Sequence, residues 1–214
     1  MRSRWLAGVV LIAAGCAPSA QERVRAYNAD GLYLFQRGDY NHARETFQAA
    51  LDLTPDDPNL RFNLGQCYDR SGNQDKAEKI YKECLQQTPN HAETRHALCV
   101  LMVRQKRREE AVRMVEEWLA RQPRLSAPYA EDAWLWHQAG DLPRALSRLE
   151  QSLQFDPQNV RATVETALVY QEMGYPDRAL ALYDHALDLD PNQPEVLDRV
   201  NRLRAQGVKY PHPE

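Results

Sequence analysis

The side chains that could carry chemistry, histidine, cysteine and carboxylate, are scattered along the 214 residues. His91 and His96 are the closest pair of histidines, but five residues apart they would not face the same side of a helix. The sequence has no phosphate-binding glycine loop, no nucleophile elbow and no paired-histidine metalloprotease motif. We therefore expect a chain that is not an enzyme, with no catalytic residue, no metal site, no cofactor and no small-molecule substrate.

The charges exclude a second class of function. Lys and Arg number 27 against 30 Asp and Glu, and both signs are mixed along the chain, for a formal net charge of −3. Nucleic-acid-binding proteins carry a basic patch or stripe, because phosphate contacts supply most of their affinity. We expect no nucleic-acid partner.

The N-terminus has a composition of its own. Arg2 and Arg4 give it a positive start, residues 5–14 form an apolar run of ten, and Gly15 and Cys16 follow. A helix that crosses a membrane needs about 20 apolar residues, so this pattern is typical of an export signal rather than of a permanent span. Two other outcomes stay open: cleavage nearby with Cys16 lost or free, and a retained anchor.

Ala13, Ala14, Gly15 and Cys16 resemble the bacterial lipobox, although Leu is commonest at the first position. The resemblance implies removal of a signal peptide, residues 1–15, and lipid attachment at Cys16. Residues 16–23 would then form the lipidated cysteine and a short tether. Several acyl chains hold a protein firmly, so we expect a membrane-anchored lipoprotein on the periplasmic face. Ala17, in place of the Asp that retains lipoproteins in the inner membrane of enteric bacteria, favours the outer membrane.

A spacing of 34 residues dominates the rest of the chain, and such a period is the signature of a repeat array. Small residues and bulky residues recur at this interval, which predicts two closely packed amphipathic helices per repeat. The periodic prolines predict where each second helix ends. The recurring positions are Pro55, Pro89, Pro123, Pro157 and Pro191; Ala43, Ala77, Ala111, Ala145 and Ala179; Gly31, Gly65, Cys99, Ala133 and Ala167; and Phe47, Tyr81, Val115, Leu149 and Tyr183.

The turns and caps fit the same pattern. Gly38, Gly72, Gly140 and Gly174 recur where the first helix should end, since glycine tolerates the left-handed conformation there. Cap residues follow them at Asp39, Asn73 and Asp141, and Pro176 suits a first helical position. The third repeat departs from the pattern, with Lys106 at the turn and Trp118 at a small position. A partner notch at the junction of repeats three and four, with Trp118, Trp134 and Trp136 nearby, and ordinary sequence drift are both compatible with it.

Leu64, Gly65, Tyr68, Ala77, Tyr81 and Pro89 form the best copy of a pattern that resembles the tetratricopeptide repeat (TPR) family. The resemblance implies an all-α fold, a right-handed α-solenoid of five TPR helix-turn-helix repeats plus a C-terminal solvating helix. It also implies a concave face built mainly from the first helix of each repeat. The predicted segments are repeats 24–57, 58–91, 92–125, 126–159 and 160–193, a capping helix 194–206 and a flexible tail 207–214.

In the family, certain residues of the first helices face the concave side. The corresponding residues of this chain form a predicted protein-binding face, and we call them the inward positions. Their mixture of apolar and polar side chains could receive an amphipathic helix or an extended segment of a protein partner. Burial between neighbouring helices is the alternative. The inward positions are Asn28, Leu32, Phe35, Phe62, Gln66, His96, Val100, Trp134, His137, Val164, Leu168 and Gln171.

We expect from this a non-enzymatic adaptor that binds a protein or peptide and is tethered to the cell envelope. The design resembles bacterial TPR lipoproteins that aid assembly of pilus, secretion or outer-membrane complexes. One design serves many functions, so it does not select among them. The alternative is a structural protein that assembles with copies of itself through its exposed ends or through Trp134.

Overall fold

The computed structural model of the chain describes residues 18–211, and within that range every regular element is an α-helix. The first helices of the repeats begin at intervals of 34 residues from α3 onwards, and so do all five second helices. The all-α TPR-type fold is therefore confirmed. The helices are α1 Ala20–Gln36, α2 Tyr40–Leu53, α3 Pro58–Arg70, α4 Gln74–Gln87, α5 Ala92–Arg104, α6 Arg108–Arg121, α7 Ser126–Gln138, α8 Leu142–Phe155, α9 Val160–Glu172, α10 Pro176–Leu189 and α11 Pro194–Ala205.

The ends of the second helices confirm the proline rule. Each of these helices closes on the residue before a periodic proline, because the proline ring disfavours helical backbone in the residue that precedes it. These residues have extended or near-extended backbone, and each still donates its backbone N–H to a carbonyl of the last turn. They are Thr54, Thr88, Gln122, Asp156 and Asp190.

The predicted caps are confirmed in part. The Asp39 and Asp141 carboxylates accept bonds from the first-turn N–H groups of α2 and α8. Asn73 occupies the cap position of α4, but its side chain makes no capping hydrogen bond. Pro176 is the first residue of α10, where its missing N–H leaves no donor unsatisfied.

The turn between the two helices of each repeat has a residue with left-handed backbone, and these residues recur every 34 positions. In the third repeat this residue is Lys106, with φ of 61°, and among residues 18–211 it is the one residue other than glycine in this conformation. Its N–H donates to the Val103 carbonyl at 3.0 Å, and the N–H of Arg107 donates to the Met102 carbonyl at 2.8 Å. Gly38 makes the equivalent bond in the first repeat. The third repeat therefore keeps the turn and tolerates backbone strain in place of the glycine.

Replacing Lys106 with glycine should consequently stabilise the chain by about 0.5–1 kcal/mol, because the side chain is exposed and the strain would be relieved. The reciprocal change, Gly72→Lys at φ of +82°, should destabilise it by about 1 kcal/mol. Urea unfolding of both variants measures the two effects. Equal midpoints for Lys106→Gly and the parent would contradict the presence of strain at this turn.

Packing divides the described residues into two compact units, which we call the N-terminal unit, ending at Pro89, and the C-terminal unit, beginning at Asn90. The N-terminal unit contains α1–α4 around a core that includes Phe47, Leu60 and Leu64. The C-terminal unit contains α5–α11. Its last core cluster includes Leu180 and Tyr183 and is closed by α11, whose Val196, Val200 and Leu203 are buried in it.

The recurring small residue on the first helix of a repeat and the bulky residue on the second explain how closely the two helices approach each other. A Cβ atom built on Gly31 would lie 2.6 Å from Cε1 of Phe47, and one on Gly65 would lie 2.4 Å from Cε1 of Tyr81. Both rings are almost fully buried. In the fourth repeat the equivalent pair is Ala133 and Leu149, which are both inaccessible to solvent. In the fifth repeat Ala167 and Tyr183 are likewise inaccessible to solvent, so a small residue and a bulky residue are buried together in each of these repeats.

A further periodic contact was not anticipated from the sequence. Cations on the second helices lie over aromatic rings on the first, an arrangement favoured by the negative potential of the ring face. Each pair is separated by eight residues, and the pairs recur at the 34-residue interval or a multiple of it. They are Lys76 over Tyr68 at 5.5 Å, Arg144 over Trp136 at 4.7 Å and Arg178 over Tyr170 at 5.7 Å.

Two predicted segments overlap parts of the chain that the structure describes. Residues 20–23 of the expected tether 16–23 belong to α1, because Ser19 and Glu22 form a capping box that starts the helix at Ala20. The described part of the expected flexible tail is also held: Val208 packs against the core beneath α11, and the Tyr210 hydroxyl donates to Asp184. Residues 1–17, including Cys16 and the predicted signal peptide, and residues 212–214 lie outside the described residues. None of the helices from α1 to α11 has the length and hydropathy of a membrane span.

Candidate functional site

In the N-terminal unit the inward positions are partly exposed and partly committed to packing. Leu32 is 41% exposed. Phe35 packs against the core, with its ring edge-on to Tyr40 at 5.2 Å between centroids. Asn28 accepts a hydrogen bond from the Asn63 side chain at 3.4 Å, which links α1 to α3. Leu32 therefore presents the most apolar surface of this set.

The two remaining inward positions of this unit lie on α3. The Phe62 ring lies 6.3 Å from the ring of Tyr81, tilted against it, and Phe62 is half-buried. Gln66 is also half-buried one helical turn later. An apolar ring and an amide thus share one face of α3, the combination expected of a surface that receives a mixed partner segment.

The C-terminal unit places a charged cluster among its inward positions, centred on Glu131. This carboxylate on α7 is completely inaccessible to solvent. Its Oε1 lies 3.1 Å from Nδ1 of His96 on α5, and its Oε2 lies 2.6 Å from Nη2 of Arg161 on α9. Oε2 has no well-aligned hydrogen-bond donor, so the charge of Arg161 is what stabilises it. One buried carboxylate therefore joins three successive first helices.

Two opposing effects set the pKa of Glu131. Burial raises it, because a low-dielectric surrounding disfavours the charged form. The charge of Arg161 and the hydrogen bond from His96 more than offset burial and bring the pKa of the Glu131 carboxyl down to about 2. Glu131 is thus a carboxylate at neutral pH, and its pairing with Arg161 meets the requirement that a buried charge be compensated.

His96 lies between the Glu131 carboxylate and the Arg161 guanidinium. Its Nδ1 is 3.1 Å from Oε1 of Glu131 and 2.9 Å from Nη2 of Arg161. A single ring nitrogen cannot donate a hydrogen bond to Glu131 and accept one from Arg161 at the same time. The ring also meets Trp134 edge-on at 4.9 Å between centroids. His96, Trp134 and Arg161 therefore form one continuous polar and aromatic surface across α5, α7 and α9.

Cys99 lies beneath this surface and is fully buried. Burial, followed by the charge of Glu131 and a hydrogen bond to it, raises the pKa of the Cys99 thiol well above its usual range. Burial also raises the pKa of Cys67, to about 12. Cys67, Cys84 and Cys99 are buried and are not joined in disulfides, and a protonated thiol is a poor nucleophile.

His137 forms a second polar link between α7 and α9. Its Nδ1 lies 2.6 Å from Glu165 and its Nε2 lies 3.0 Å from Glu172. The hydrogen bond to Glu165 raises the pKa of His137 most, burial lowers it, and the remaining attraction of both carboxylates brings it to about 9. With only 9% of its side chain exposed and both nitrogens engaged, His137 holds the two helices together.

This link predicts a pH dependence of stability. A histidine whose folded pKa is raised contributes stability that is complete below its unfolded value, near 6.5, and is lost as the pH rises through about 9. We expect His137→Gln to destabilise the C-terminal unit by about 2 kcal/mol at pH 6 and by much less at pH 10. Urea unfolding across this range measures the difference between variant and parent.

His185→Gln is the matched control, because His185 is exposed on α10 and should leave the stability within about 0.5 kcal/mol at every pH. A His137→Gln variant whose difference from the parent is the same at pH 6 and pH 10 would rule out a titrating histidine as the cause.

The remaining inward positions of the C-terminal unit line the same helices. Val164 and Leu168 on α9 pack partly against the last core cluster, and Val100 on α5 is half-buried. Gln171 is exposed, and its side-chain oxygen accepts a bond from the Tyr183 hydroxyl at 3.1 Å. The structure brings these residues onto one set of helices, while their role in partner binding stays a prediction.

Trp118 offers almost no surface to a notch at the junction of repeats three and four. The ring is 3% exposed, its Nε1 donates to the Asn90 side chain at 3.1 Å, and the Arg95 guanidinium covers it at 4.4 Å from the centroid. The contacts of Arg95 and Asn90 with the Trp118 ring accommodate a tryptophan at a position where other repeats have a small residue.

Sequence reasoning missed Glu131, Glu165 and Arg161. Glu131 and Glu165 occupy the same place in successive repeats, where earlier repeats have Ala29, Asn63 and Ala97. The available signal was an acid at the same position of two successive repeats, with a histidine about one repeat before each, His96 and His137. Among residues 18–211 no group of three or more His, Cys, Asp or Glu side chains is arranged to hold a metal ion.

These features define an α-helical repeat protein of the solenoid class, and the comparisons with known proteins agree. Family profiles described as "Tetratricopeptide repeat" match residues 28–92 and residues 62–189. The chain belongs to the tetratricopeptide repeat family. Proteins of this family generally mediate protein–protein interactions.

Solved structures support the fold. TTC0263, a thermophilic TPR protein of Thermus thermophilus, matches with a TM-score of 0.64 and 23% identity, over 87% of this chain and 100% of that chain. Yeast Tom70 matches with a TM-score of 0.59 and 16% identity, over 87% of this chain and 47% of that one. At these identities the likeness concerns the fold alone.

One curated relative shares a short segment. The outer dynein arm-docking complex subunit 4 of Danio rerio is 47% identical over 47 residues, which are 22% of this chain. The match spans 10% of the length of that protein.

Proposed function

We propose that this chain is a non-enzymatic adaptor, exported and lipid-anchored at Cys16, that holds a protein or peptide partner at the periplasmic face of a bacterial envelope membrane. The observation that carries the binding role is the partly exposed apolar surface of the first helices, in a family that binds proteins. Leu32 and Phe62 supply such surface in the N-terminal unit. Trp134 supplies it in the C-terminal unit, with His96 and Arg161 adding polar groups beside it. Assembly of a pilus, secretion or outer-membrane complex is the setting that suits such an anchored adaptor.

The lipid anchor is supported by the charged start, the short apolar run and Gly15 followed by Cys16. Intact mass of protein extracted from the membrane fraction tests it. We expect a chain that begins at a lipidated Cys16, and a Cys16→Ser variant that lacks the lipid mass. An unmodified N-terminus upstream of Cys16 in the parent would refute the anchor.

The binding surface is tested by partner capture from the anchored protein with proximity labelling, repeated with Phe62→Ala and Trp134→Ala combined. We expect the specific partners to be lost from the double variant, because large apolar side chains dominate interface energies. Phe155→Ala combined with Tyr175→Ala is the matched control, since both rings are exposed but lie outside the inward positions. Identical partner sets in the parent and the inward double variant would exclude these helices as the binding surface.

A further inference from the structure

The first helix of the array exposes a face that every later repeat buries. Ala26 is exposed on α1, and Tyr33 is 57% exposed two turns later. The equivalent residues of repeats two to five are all buried, which marks this face as one built for a neighbour. The equivalents of Ala26 are Leu60, Thr94, Pro128 and Ala162, and those of Tyr33 are Cys67, Leu101, Leu135 and Val169.

The end of the C-terminal unit is treated differently. There α11 covers the core with Val196, Val200 and Leu203 and turns polar side chains such as Arg202 and Asp198 outward. Solenoids need a solvating element at each end. In the part of the chain that the structure describes, no element precedes α1 to play the role of α11.

The chemistry of the uncovered face suits a lipid surface. Ala26 and Ala29 are small and exposed, so a flat partner can approach the helix closely. The Tyr33 hydroxyl accepts a hydrogen bond from Nη1 of Arg37 at 2.8 Å, and the guanidinium also lies over the ring. Tyrosine is enriched at membrane interfaces, and arginine places its charge among headgroups while its stem covers apolar surface.

The charges of α1 agree with anionic headgroups. Arg23 and Arg25 are exposed in the first turns, and Arg37 follows the last. Of the two acids on the helix, Glu22 is engaged by the backbone N–H of Ser19 at 2.7 Å, while Asp30 stays exposed. Basic residues close to an anionic membrane are attracted by its negative surface potential.

The length of the chain ahead of α1 limits how far this face can lie from the membrane. The helix begins at Ala20, four residues after Cys16. Four residues span at most about 14 Å even when fully extended. A lipid on Cys16 would therefore keep the start of α1 within that distance of the headgroups, with Arg23 in its first turn.

From these observations we infer that the uncovered face of α1, formed by Ala26, Ala29 and Tyr33 with Arg23, Arg25 and Arg37, lies against the headgroups of the anchoring membrane. The inference rests on the proposed lipid attachment at Cys16. The bilayer then covers the face of the first repeat that a preceding repeat would otherwise cover. The proposed partner-binding positions of the later repeats stay accessible.

The test uses the full lipidated chain in vesicles of phosphatidylethanolamine and phosphatidylglycerol. An Ala29→Cys variant carries an environment-sensitive fluorophore, and Glu45→Cys, exposed on α2 away from the core, is its matched control. Cys67, Cys84 and Cys99 are inaccessible to solvent and should not be labelled. We expect spin-labelled lipids to quench the fluorophore at position 29 on the order of threefold more than at position 45. Arg23→Gln with Arg25→Gln should reduce that quenching.

Three results would overturn the inference. If intact mass shows the lipid on Cys16 but positions 29 and 45 are quenched equally, the α1 face does not meet the membrane and the anchor stands. If the mass shows no lipid, the anchor and the inference both fall. Efficient cross-linking between two Ala29→Cys chains in the vesicles would show that a second copy covers the face.

Discussion

Replacing Glu131 with glutamine should destabilise the C-terminal unit by about 3 kcal/mol, since removing one partner of a buried ion pair leaves the other uncompensated. The amide keeps the size of the side chain but cannot balance Arg161, which lies 2.6 Å away. Partial exposure of Arg161 gives it access to water and limits the loss. Urea unfolding should show a lower midpoint, and hydrogen exchange should show faster opening of α5, α7 and α9 with α1–α4 unchanged.

Glu117→Gln provides the matched control. Glu117 pairs with Arg121 at 3.4 Å on the surface of α6, with 67% of its side chain exposed, and such pairs contribute at most about 0.5 kcal/mol. If Glu131→Gln lost no more stability than Glu117→Gln, the buried cluster would not hold the three helices together.

The same residue should make the chain sensitive to acid. A carboxylate with a lowered folded pKa contributes stability that is complete above its unfolded value, near 4.5, and is lost as the pH falls towards about 2. The parent should therefore lose more stability than Glu131→Gln over this interval. Urea unfolding at pH 5, 4 and 3 gives the slope of the free energy of unfolding against pH for the parent and for Glu131→Gln.

Replacing Gly65 with alanine should destabilise the N-terminal unit by about 2–3 kcal/mol, because overfilling a packed core forces rings or helices to move. The added methyl group would lie 2.4 Å from Cε1 of Tyr81, and Tyr81 is 1% exposed and cannot swing into solvent. Adding Tyr81→Leu to Gly65→Ala should restore part of the loss, and the double-mutant cycle should show coupling. Thermal and urea unfolding followed by circular dichroism measure all four states.

Gly72→Ala separates this steric effect from a general cost of replacing glycine. An alanine at Gly72 meets no atom within 4 Å, but the backbone has φ of +82°, so the change should cost only about 1 kcal/mol. A Gly65→Ala variant that loses less than Gly72→Ala would mean that the helix contact is looser than the structure shows.

The sequence predicted the fold in detail because local rules and the repeat agree. Proline restricts the residue before it, so the ends of five second helices, Thr54 among them, could be placed to the residue. The same local reasoning explains why Asn73 took its cap position without the capping bond: position follows from the chain, while the bond depends on one rotamer. The left-handed turn is kept at Lys106, where the N–H groups of Lys106 and Arg107 still donate to carbonyls of the last turn of α5.

The candidate site was less predictable, because its charges are paired between repeats. Glu131 finds His96 35 residues before it and Arg161 30 residues after it, so no local pattern exposes the cluster. Sequence analysis did not name Glu131 or Arg161. It placed His137 among the binding residues, whereas the ring bridges Glu165 and Glu172 with little exposed surface.

The constant 34-residue step of the helix starts bears on how such a chain can change in length. Duplicating or deleting one whole step keeps every helix in phase with its neighbours, whereas an insertion of one or two residues within a helix would rotate the small residues away from their bulky partners. Evolution and protein engineering can therefore extend or shorten the array by complete modules. In the C-terminal unit a duplicated fourth module would add another Glu131 beside another Trp134, one repeat length along the chain.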